Sequence, residues 1–330
     1  MTLALMRRMV GDAGHIERLY WAVKISHDTS VDSERLQWRR YIEQYGSQTR
    51  NLKQRKRGLT MGKAQGRSAE PHLAFAKELG LLEMPSKRVG GRWPSMGRWL
   101  ITAHAGRPFL TLWEIEKRQP PKYLLLALLL RRDRSFLIPF ISQILKEGDR
   151  AGPIIAARIW DYLWKRYKRE MILAEPPFPR SLLWNDGRLK RTAKHHSDAR
   201  LRFLVKPEGL NLKKDALRRL VESFDTFEDK ELPPDYYSRV AYTLDGIHPA
   251  EPEEQQIIDY AIYAYENLCQ TSHVSALGAF NYINELSLPD HTVNWDHFLK
   301  VLRTNQAFSL HSSLMRGDVL FKLRKLREVV

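Results

Sequence analysis

Residues 154–171 decide the fold class, and they read Ile154-Ile-Ala-Ala-Arg-Ile-Trp-Asp-Tyr-Leu-Trp-Lys-Arg-Tyr-Lys-Arg-Glu-Met171. Apolar side chains recur at every fourth position of this stretch: Ile155, Ile159, Leu163, Tyr167 and Met171. That spacing places them on one face of an α-helix, which must be buried against other elements. Four cations lie away from this apolar seam: Lys165, Arg166, Lys168 and Arg169. The stretch therefore predicts an amphipathic helix in a helix-rich core.

Similar patterns extend over most of the chain. Pro120-Pro121 precedes a predicted buried helix that begins at Lys122, and an apolar stripe predicts another helix over residues 253–268. Extended pieces are few and short, so the predicted fold class is mainly α and multi-helical. Pro176-Pro177-Phe178-Pro179 is typical of a linker. We therefore expect a basic helical domain over residues 1–120, a helical support segment over residues 121–175 and a mainly helical C-terminal domain over residues 180–330.

Charge is distributed unevenly along the chain. The sequence has 54 lysine and arginine residues against 38 aspartate and glutamate residues, a formal net charge of +16. Residues 221–299 sum to −13, whereas residues 1–220 sum to +24. Such a one-sided excess is typical of a protein that binds a polyanion, and the acidic stretch offers a surface to a protein partner. The plain alternative is a solvated basic surface with no partner.

Composition narrows the class of protein further. An apolar fraction of 43% with 10% aromatic residues excludes a disordered chain. The longest apolar run, residues 123–130, is much shorter than the roughly twenty residues that a membrane span needs. Cys269 is the only cysteine, so neither an internal disulfide nor a cysteine-based zinc site can form. We expect a cytoplasmic protein without membrane contacts.

Residues 68–107 combine a short helix with a glycine-rich hairpin. The pattern predicts a helix from Ser68 to Leu79, closed by Gly80 in the left-handed position that ends many helices. Two extended pieces follow and flank Gly90-Gly91-Arg92-Trp93-Pro94. Trp99-Leu-Ile-Thr-Ala-His-Ala-Gly-Arg107 then has the pattern of a strand, a turn and a helix start.

These residues resemble a winged helix-turn-helix unit over residues 68–113. The resemblance implies a DNA-binding fold, in which the helix before the Leu-Gly-Leu turn enters the major groove and the hairpin wing touches phosphate or the minor groove. On the helix it nominates Arg67, Ser68, His72 and Lys77. On the wing it nominates Lys87, Arg88, Arg92 and Arg98, and the backbone amides at Gly90-Gly91 could approach phosphate closely.

A weak internal repeat extends this pattern. A shift of 128 residues aligns residues 68–76 with residues 196–204, pairing Leu73 with Leu201 and Phe75 with Phe203. This indicates a second helix-turn-helix-like unit after residue 186, although Pro207 interrupts its turn and no wing follows; two ordinary amphipathic helices give the same pattern. Its candidate nucleic-acid-binding residues are Lys190, Arg191, Lys194, Arg200 and Arg202. The basic stretch 50–67 adds Arg50, Lys53, Arg55, Lys56, Arg57 and Lys63.

Catalytic motifs are weak or absent in the sequence. No phosphate-binding, dinucleotide-binding or nucleophile-elbow motif occurs, and we expect neither a cofactor nor a metal site. Glu228-Asp-Lys230, with Asp186 upstream, is the nearest approach to a metal-dependent nuclease pattern, and a solvated acidic loop explains it better. The sequence thus favours a non-catalytic DNA-binding protein that works with a protein partner. A subunit of a nuclease-containing restriction, defence or transposition complex, or an RNA-binding or ribonucleoprotein component, remains an alternative.

Overall fold

The computed structural model is mainly helical, which confirms the predicted fold class. It describes residues 3–6, 15–28, 72–83, 100–116, 119–173, 197–224, 232, 234–270, 272–313 and 318–324. Its helices are α1 (Ile16–Asp28), α2 (72–79), α3 (Gly106–Ile115), α4 (Lys122–Glu147), α5 (Gly152–Leu173), α6 (197–205), α7 (Lys214–Ser223), α8 (Tyr237–Asp245), α9 (Glu254–Leu268), α10 (Ala276–Ser287) and α11 (Trp295–Thr304). Its strands are β1 (Leu82–Glu83), β2 (Leu100–Ile101), β3 (Val274–Ser275), β4 (Phe308–Ser312) and β5 (Val319–Leu323).

The chain divides into two compact units that are discontinuous in sequence. Unit 1 comprises residues 1–2, 103–131 and 214–330, and unit 2 comprises residues 3–102 and 132–213. This division differs from the three consecutive segments that we expected, because unit 2 is closed by contacts between distant parts of the chain. The rings of Phe75 and Phe203, for example, pack edge to face at 5.3 Å. The predicted linker at residues 176–179 lies outside the described residues.

Helix α5 forms as its apolar seam predicts. Ile155, Ile159, Leu163, Tyr167 and Met171 are all buried. The helix is kinked at Tyr167, whose φ of −119° and ψ of 27° are not helical, yet the buried side chains continue on the same side beyond it. Phe136, on α4, packs against Trp160 with 5.6 Å between the rings, so the seam joins the aromatic core of unit 2. Burial of such large side chains stabilises each by about 1.5–3 kcal/mol.

Helix α2 ends directly before Gly80-Leu81, whereas α6 ends at residue 205, four residues before Gly209-Leu210. Gly80 has a φ of +82°, which confirms the predicted left-handed cap. The amides of Gly80 and Leu81 donate to the carbonyls of Lys77 and Ala76, so the last turn of α2 is satisfied internally. Beyond it, β1 and β2 pair antiparallel with Leu82 opposite Ile101. The Thr102 hydroxyl donates to the Gly80 carbonyl at 2.6 Å and fixes this pair beside the end of α2.

Unit 1 is built on α10, a helix whose side chains are almost all buried. Helices α3, α9 and α11 pack on it, and a three-stranded sheet of order β3-β5-β4 lies at its start. Ser275 caps α10 by accepting the Gly278 amide, and Asp318 accepts both the Ser275 hydroxyl at 2.7 Å and the Leu277 amide at 2.9 Å. The Ser275 hydroxyl and the Asp318 carboxylate thus accept hydrogen bonds from amides that have no partner within the first turn of the helix.

Glu285, near the end of α10, holds the start of α4. Its carboxyl group accepts the Leu124 amide at 2.6 Å, which satisfies one of the amides that the first turn of that helix leaves without a partner. Burial raises the pKa of Glu285 to about 8, while backbone hydrogen bonds from Leu124, Tyr123 and Lys122 oppose part of the rise. The folded protein therefore retains a proton on Glu285 to a higher pH than the unfolded chain does.

We expect Glu285→Gln to remove a pH dependence of stability. Because the folded pKa, about 8, lies above the ordinary value of 4.5, the contribution of this group is fully present below pH 4.5 and is lost as the pH rises towards 8. Glutamine carries no charge and still offers an acceptor to the Leu124 amide. Urea denaturation of both proteins should show the variant gaining stability relative to the wild type from about pH 5 to about pH 8. A difference that stays constant with pH contradicts this account.

No helix among the described residues is both long enough and apolar enough to cross a lipid bilayer.

Candidate nucleic-acid interface

The uneven charge of the sequence follows the two structural units. Unit 2 carries 37 lysine and arginine residues against 18 acidic residues, a formal net charge of +19. Unit 1 carries 17 basic against 20 acidic residues, a net charge of −3. The whole positive excess of the sequence therefore falls within the residue ranges of unit 2. A phosphate polymer is attracted by the summed electrostatic field of many cations, so a nucleic-acid interface is expected on unit 2.

Most of the predicted nucleic-acid-binding residues lie outside the described residues. These are Arg50, Lys53, Arg55, Lys56, Arg57, Lys63, Arg67, Ser68, Lys87, Arg88, Arg92, Arg98, Lys190, Arg191 and Lys194. Four predicted residues are described: His72, Lys77, Arg200 and Arg202. Lys77 and Arg202 are partly exposed, so they remain candidates.

The prediction that Arg200 binds nucleic acid is wrong. Its side chain is 0% exposed, and its guanidinium donates from Nε to Asp133 Oδ2 at 2.6 Å and from Nη2 to Asp133 Oδ1 at 2.8 Å. The group also lies 4.2 Å from the centre of the Phe136 ring. This guanidinium is removed from solvent, and two of its nitrogen atoms donate to the two oxygens of one carboxylate. It therefore cannot reach a phosphate. Sequence spacing missed this role because Asp133 and Arg200 are 67 residues apart.

The prediction for His72 is also wrong. Its side chain is 1% exposed at the start of α2, so it cannot read a base edge in a groove. No side chain in the described part of α2, residues 72–79, is fully exposed; Ala74, Lys77 and Glu78 form its partly exposed side. The described turns of this helix therefore serve mainly as core, because Leu73, Phe75 and Leu79 are buried on the opposite side.

Helix α5 presents a cationic surface that the sequence-based candidates do not include. We call Arg158, Lys165, Arg166, Lys168 and Arg169 the α5 basic face, and all five side chains are exposed. Tyr162 lies among them with 43% of its surface exposed. The sequence places most of these cations away from the apolar seam, but charge on the outer side of a helix is common. The ion pairs that these cations form, or lack, with acidic neighbours distinguish a binding face from an ordinary solvated one.

Acidic neighbours neutralise only part of the α5 basic face. Arg158 Nη1 lies 3.2 Å from Glu147 Oε1, and Lys165 Nζ lies 2.6 Å from Asp161 Oδ2. Both pairs are well exposed, and exposed pairs contribute at most about 1 kcal/mol. Arg166 instead donates to the Tyr162 hydroxyl at 2.7 Å and lies 5.4 Å from the centre of the Tyr167 ring. Lys168 and Arg169 form no ion pair with any described residue.

The structure describes none of the three candidate catalytic groups. Glu228, Lys230 and Asp186 lie outside the described residues. Among the residues that are described, no group of three or more histidine, cysteine, aspartate or glutamate side chains could hold a metal ion. Cys269 is a partly buried free thiol at the end of α9.

Comparison with known proteins finds no match: no protein-family model, no curated protein and no solved structure is significantly similar to this chain.

Proposed function

We propose that this chain binds nucleic acid through unit 2, with duplex DNA as the favoured ligand and without chemistry of its own. The observation that carries the proposal is the division of charge, +19 in unit 2 against −3 in unit 1. Lysine and arginine contacts to phosphate supply most of the affinity of such proteins, because each contact releases counterions from the polymer.

The resemblance to a winged helix-turn-helix unit supports duplex DNA as the ligand. The order of a helix, a left-handed glycine and an antiparallel strand pair at residues 72–101 is the order which that family requires. Residues 84–99, which connect the two strands, contain four cations and no acid. In this proposal the connection is a wing that touches the phosphate backbone, while buried His72 takes no part.

The acidic surface of unit 1 supports the involvement of a protein partner. Nine acidic side chains within residues 221–299 are exposed: Glu222, Asp245, Glu251, Glu253, Glu254, Asp259, Glu266, Asp290 and Asp296. Such a surface repels phosphate and attracts a basic protein. In this proposal unit 1 thus recruits a partner and leaves the nucleic acid to unit 2.

The proposal predicts binding that weakens steeply with salt. If six to ten phosphates are contacted, affinity should fall roughly 10³–10⁵-fold between about 50 and 200 mM salt. Fluorescence anisotropy with labelled duplex DNA, single-stranded DNA and structured RNA of equal length measures this slope for each ligand. Tightest binding to the duplex is the expected result, and tighter binding to RNA would make an RNA-binding protein the better assignment.

A control variant tests whether unit 1 takes part. Glu254→Gln, Asp259→Asn and Glu266→Gln together remove three charges from the exposed side of α9. We expect this variant to bind duplex DNA at least as tightly as the wild type, since a repulsive charge has been removed. A flat salt response of the wild-type protein, or no binding to any of the three ligands, overturns the proposed function.

A further inference from the structure

We infer that the α5 basic face is a phosphate-binding surface for the nucleic acid backbone, in addition to the predicted wing. This inference rests on the proposed function and assigns part of it to named residues. It concerns a helix that lies outside the stretch with the winged-helix resemblance, residues 68–113. The ligand chemistry is that of a phosphodiester chain, whether DNA or RNA.

The geometry of the helix suits a row of phosphates. Arg158 and Lys165 are seven residues apart, which is about 10 Å along the axis at about 1.5 Å per residue. Phosphates of one DNA strand recur about every 3.4 Å along the duplex axis, so such a row spans several of them. Lys168 and Arg169 follow the kink at Tyr167 and are also exposed.

The electrostatics of the face also favour an anionic ligand. The stretch from Lys165 to Glu170 contains four cations and one acid. The acids that pair with Lys165 and Arg158 are exposed, so a phosphate can displace them at little cost. Arg166 is held by Tyr162 and Tyr167, which limits the side-chain entropy that an additional contact would remove. Lys168 and Arg169 form no ion pair with a described residue, so contact with a phosphate would not require one to break.

Two other occupants fit this surface less well. A helix that lies on a membrane needs a continuous apolar face, but the apolar seam of α5 is already buried in unit 2. The exposed aliphatic side chains are divided between the ends of the helix, with Ile154 at one end and Ile172 and Leu173 at the other, and Tyr162 between them carries a polar hydroxyl. The core of a protein interface is depleted of charged residues, whereas the centre of this face carries the cations. Charge complementarity therefore favours the phosphodiester backbone of a nucleic acid.

Three substitutions on α5 test the inference against a matched control. Lys165→Gln, Lys168→Gln and Arg169→Gln remove three exposed charges from the face. The control, Arg239→Gln, Lys300→Gln and Arg303→Gln, removes three exposed charges from unit 1 and changes the net charge equally. Anisotropy across a salt series with duplex DNA and with RNA is the measurement, and circular dichroism verifies that both variants are folded.

We expect the α5 variant to bind about ten-fold or more weakly near 100 mM salt, with the slope of log affinity against log salt reduced by about two to three. The control should retain the wild-type slope. An α5 variant that binds with the wild-type affinity and slope overturns this inference and leaves the proposed function standing. Equal losses in both variants also overturn it, because net charge alone would then explain the effect. Wild-type protein that binds anionic lipid vesicles but no nucleic acid overturns both proposals.

Discussion

Asp133→Ala is expected to destabilise unit 2 by about 3–5 kcal/mol. The substitution leaves the Arg200 guanidinium buried at 0% exposure without its carboxylate, and an unpaired buried charge is among the costliest defects in a protein. It also removes the acceptor of the Met6 amide, which bonds Asp133 Oδ1 at 3.0 Å and attaches residues 3–6 to α4. Guanidinium denaturation followed by circular dichroism measures the loss, and amide hydrogen exchange should show it concentrated in unit 2.

A double variant separates the loss of a partner from the loss of volume. Asp133→Leu with Arg200→Met replaces the ion pair by apolar side chains of similar size, a change that is often neutral or stabilising in other proteins. We expect this double variant to recover most of the stability that Asp133→Ala loses. A loss below about 1 kcal/mol in Asp133→Ala would show that the ion pair is not essential to the core.

Arg200 also affects how binding experiments must be interpreted. Under the proposed function, substituting Arg200 should lower the affinity for nucleic acid by destabilising unit 2, because its guanidinium is bound to Asp133 inside that unit. The double variant provides the discriminating measurement, because it lacks the Arg200 charge but should keep the fold. Its affinity for duplex DNA should therefore stay close to that of the wild type. Lys165 and Arg169, by contrast, can be replaced without disturbing a buried contact.

Local patterns predict the helices well, and distant contacts explain where prediction failed. The fourfold spacing of α5 and the start of α4 at Lys122 depend on residues close together in the sequence, and both are confirmed. The structural role of Arg200 depends on Asp133, which lies on another helix and has no local signature. The division into units has the same origin, since contacts such as that between Phe75 and Phe203 join distant parts of the chain and leave no trace in linker composition.

The candidate site shows the same limit. Basic residues near the start of α2 and α6 indicated nucleic-acid contacts, but charge in a sequence does not show which side of a helix is buried. His72 and Arg200 lie on buried sides, whereas the cations of α5 lie opposite an apolar seam and are exposed. A long amphipathic seam is thus a safer guide to exposed charge than a family resemblance over a short stretch.

Gly209→Ala is expected to destabilise unit 2 by about 3 kcal/mol, the upper part of the usual range for overpacking. A Cβ at this position would lie 2.3 Å from the Phe203 carbonyl oxygen and 2.5 Å from that of Arg202, so the backbone itself would have to move. That movement would disturb the hydrogen bond from the Leu210 amide to the Phe203 carbonyl, 2.7 Å long, which attaches the turn after α6 to that helix. Thermal or guanidinium denaturation measures the effect.

Gly152→Ala, in the same unit, is the matched control for Gly209→Ala. A Cβ on Gly152 meets side-chain atoms at ordinary distances of 3.6–3.7 Å, and its backbone is already helical. Alanine there should be neutral or stabilise the protein by up to about 1 kcal/mol, because it lowers the entropy of the unfolded chain. Equal stability of the two variants would mean that the turn after α6 is looser than the close approach of these backbone atoms indicates. A large loss in Gly209→Ala alone would show that the close backbone packing of the turn after α6 requires a glycine. That requirement explains the Gly-Leu pair at residues 209–210 without any role in reading DNA.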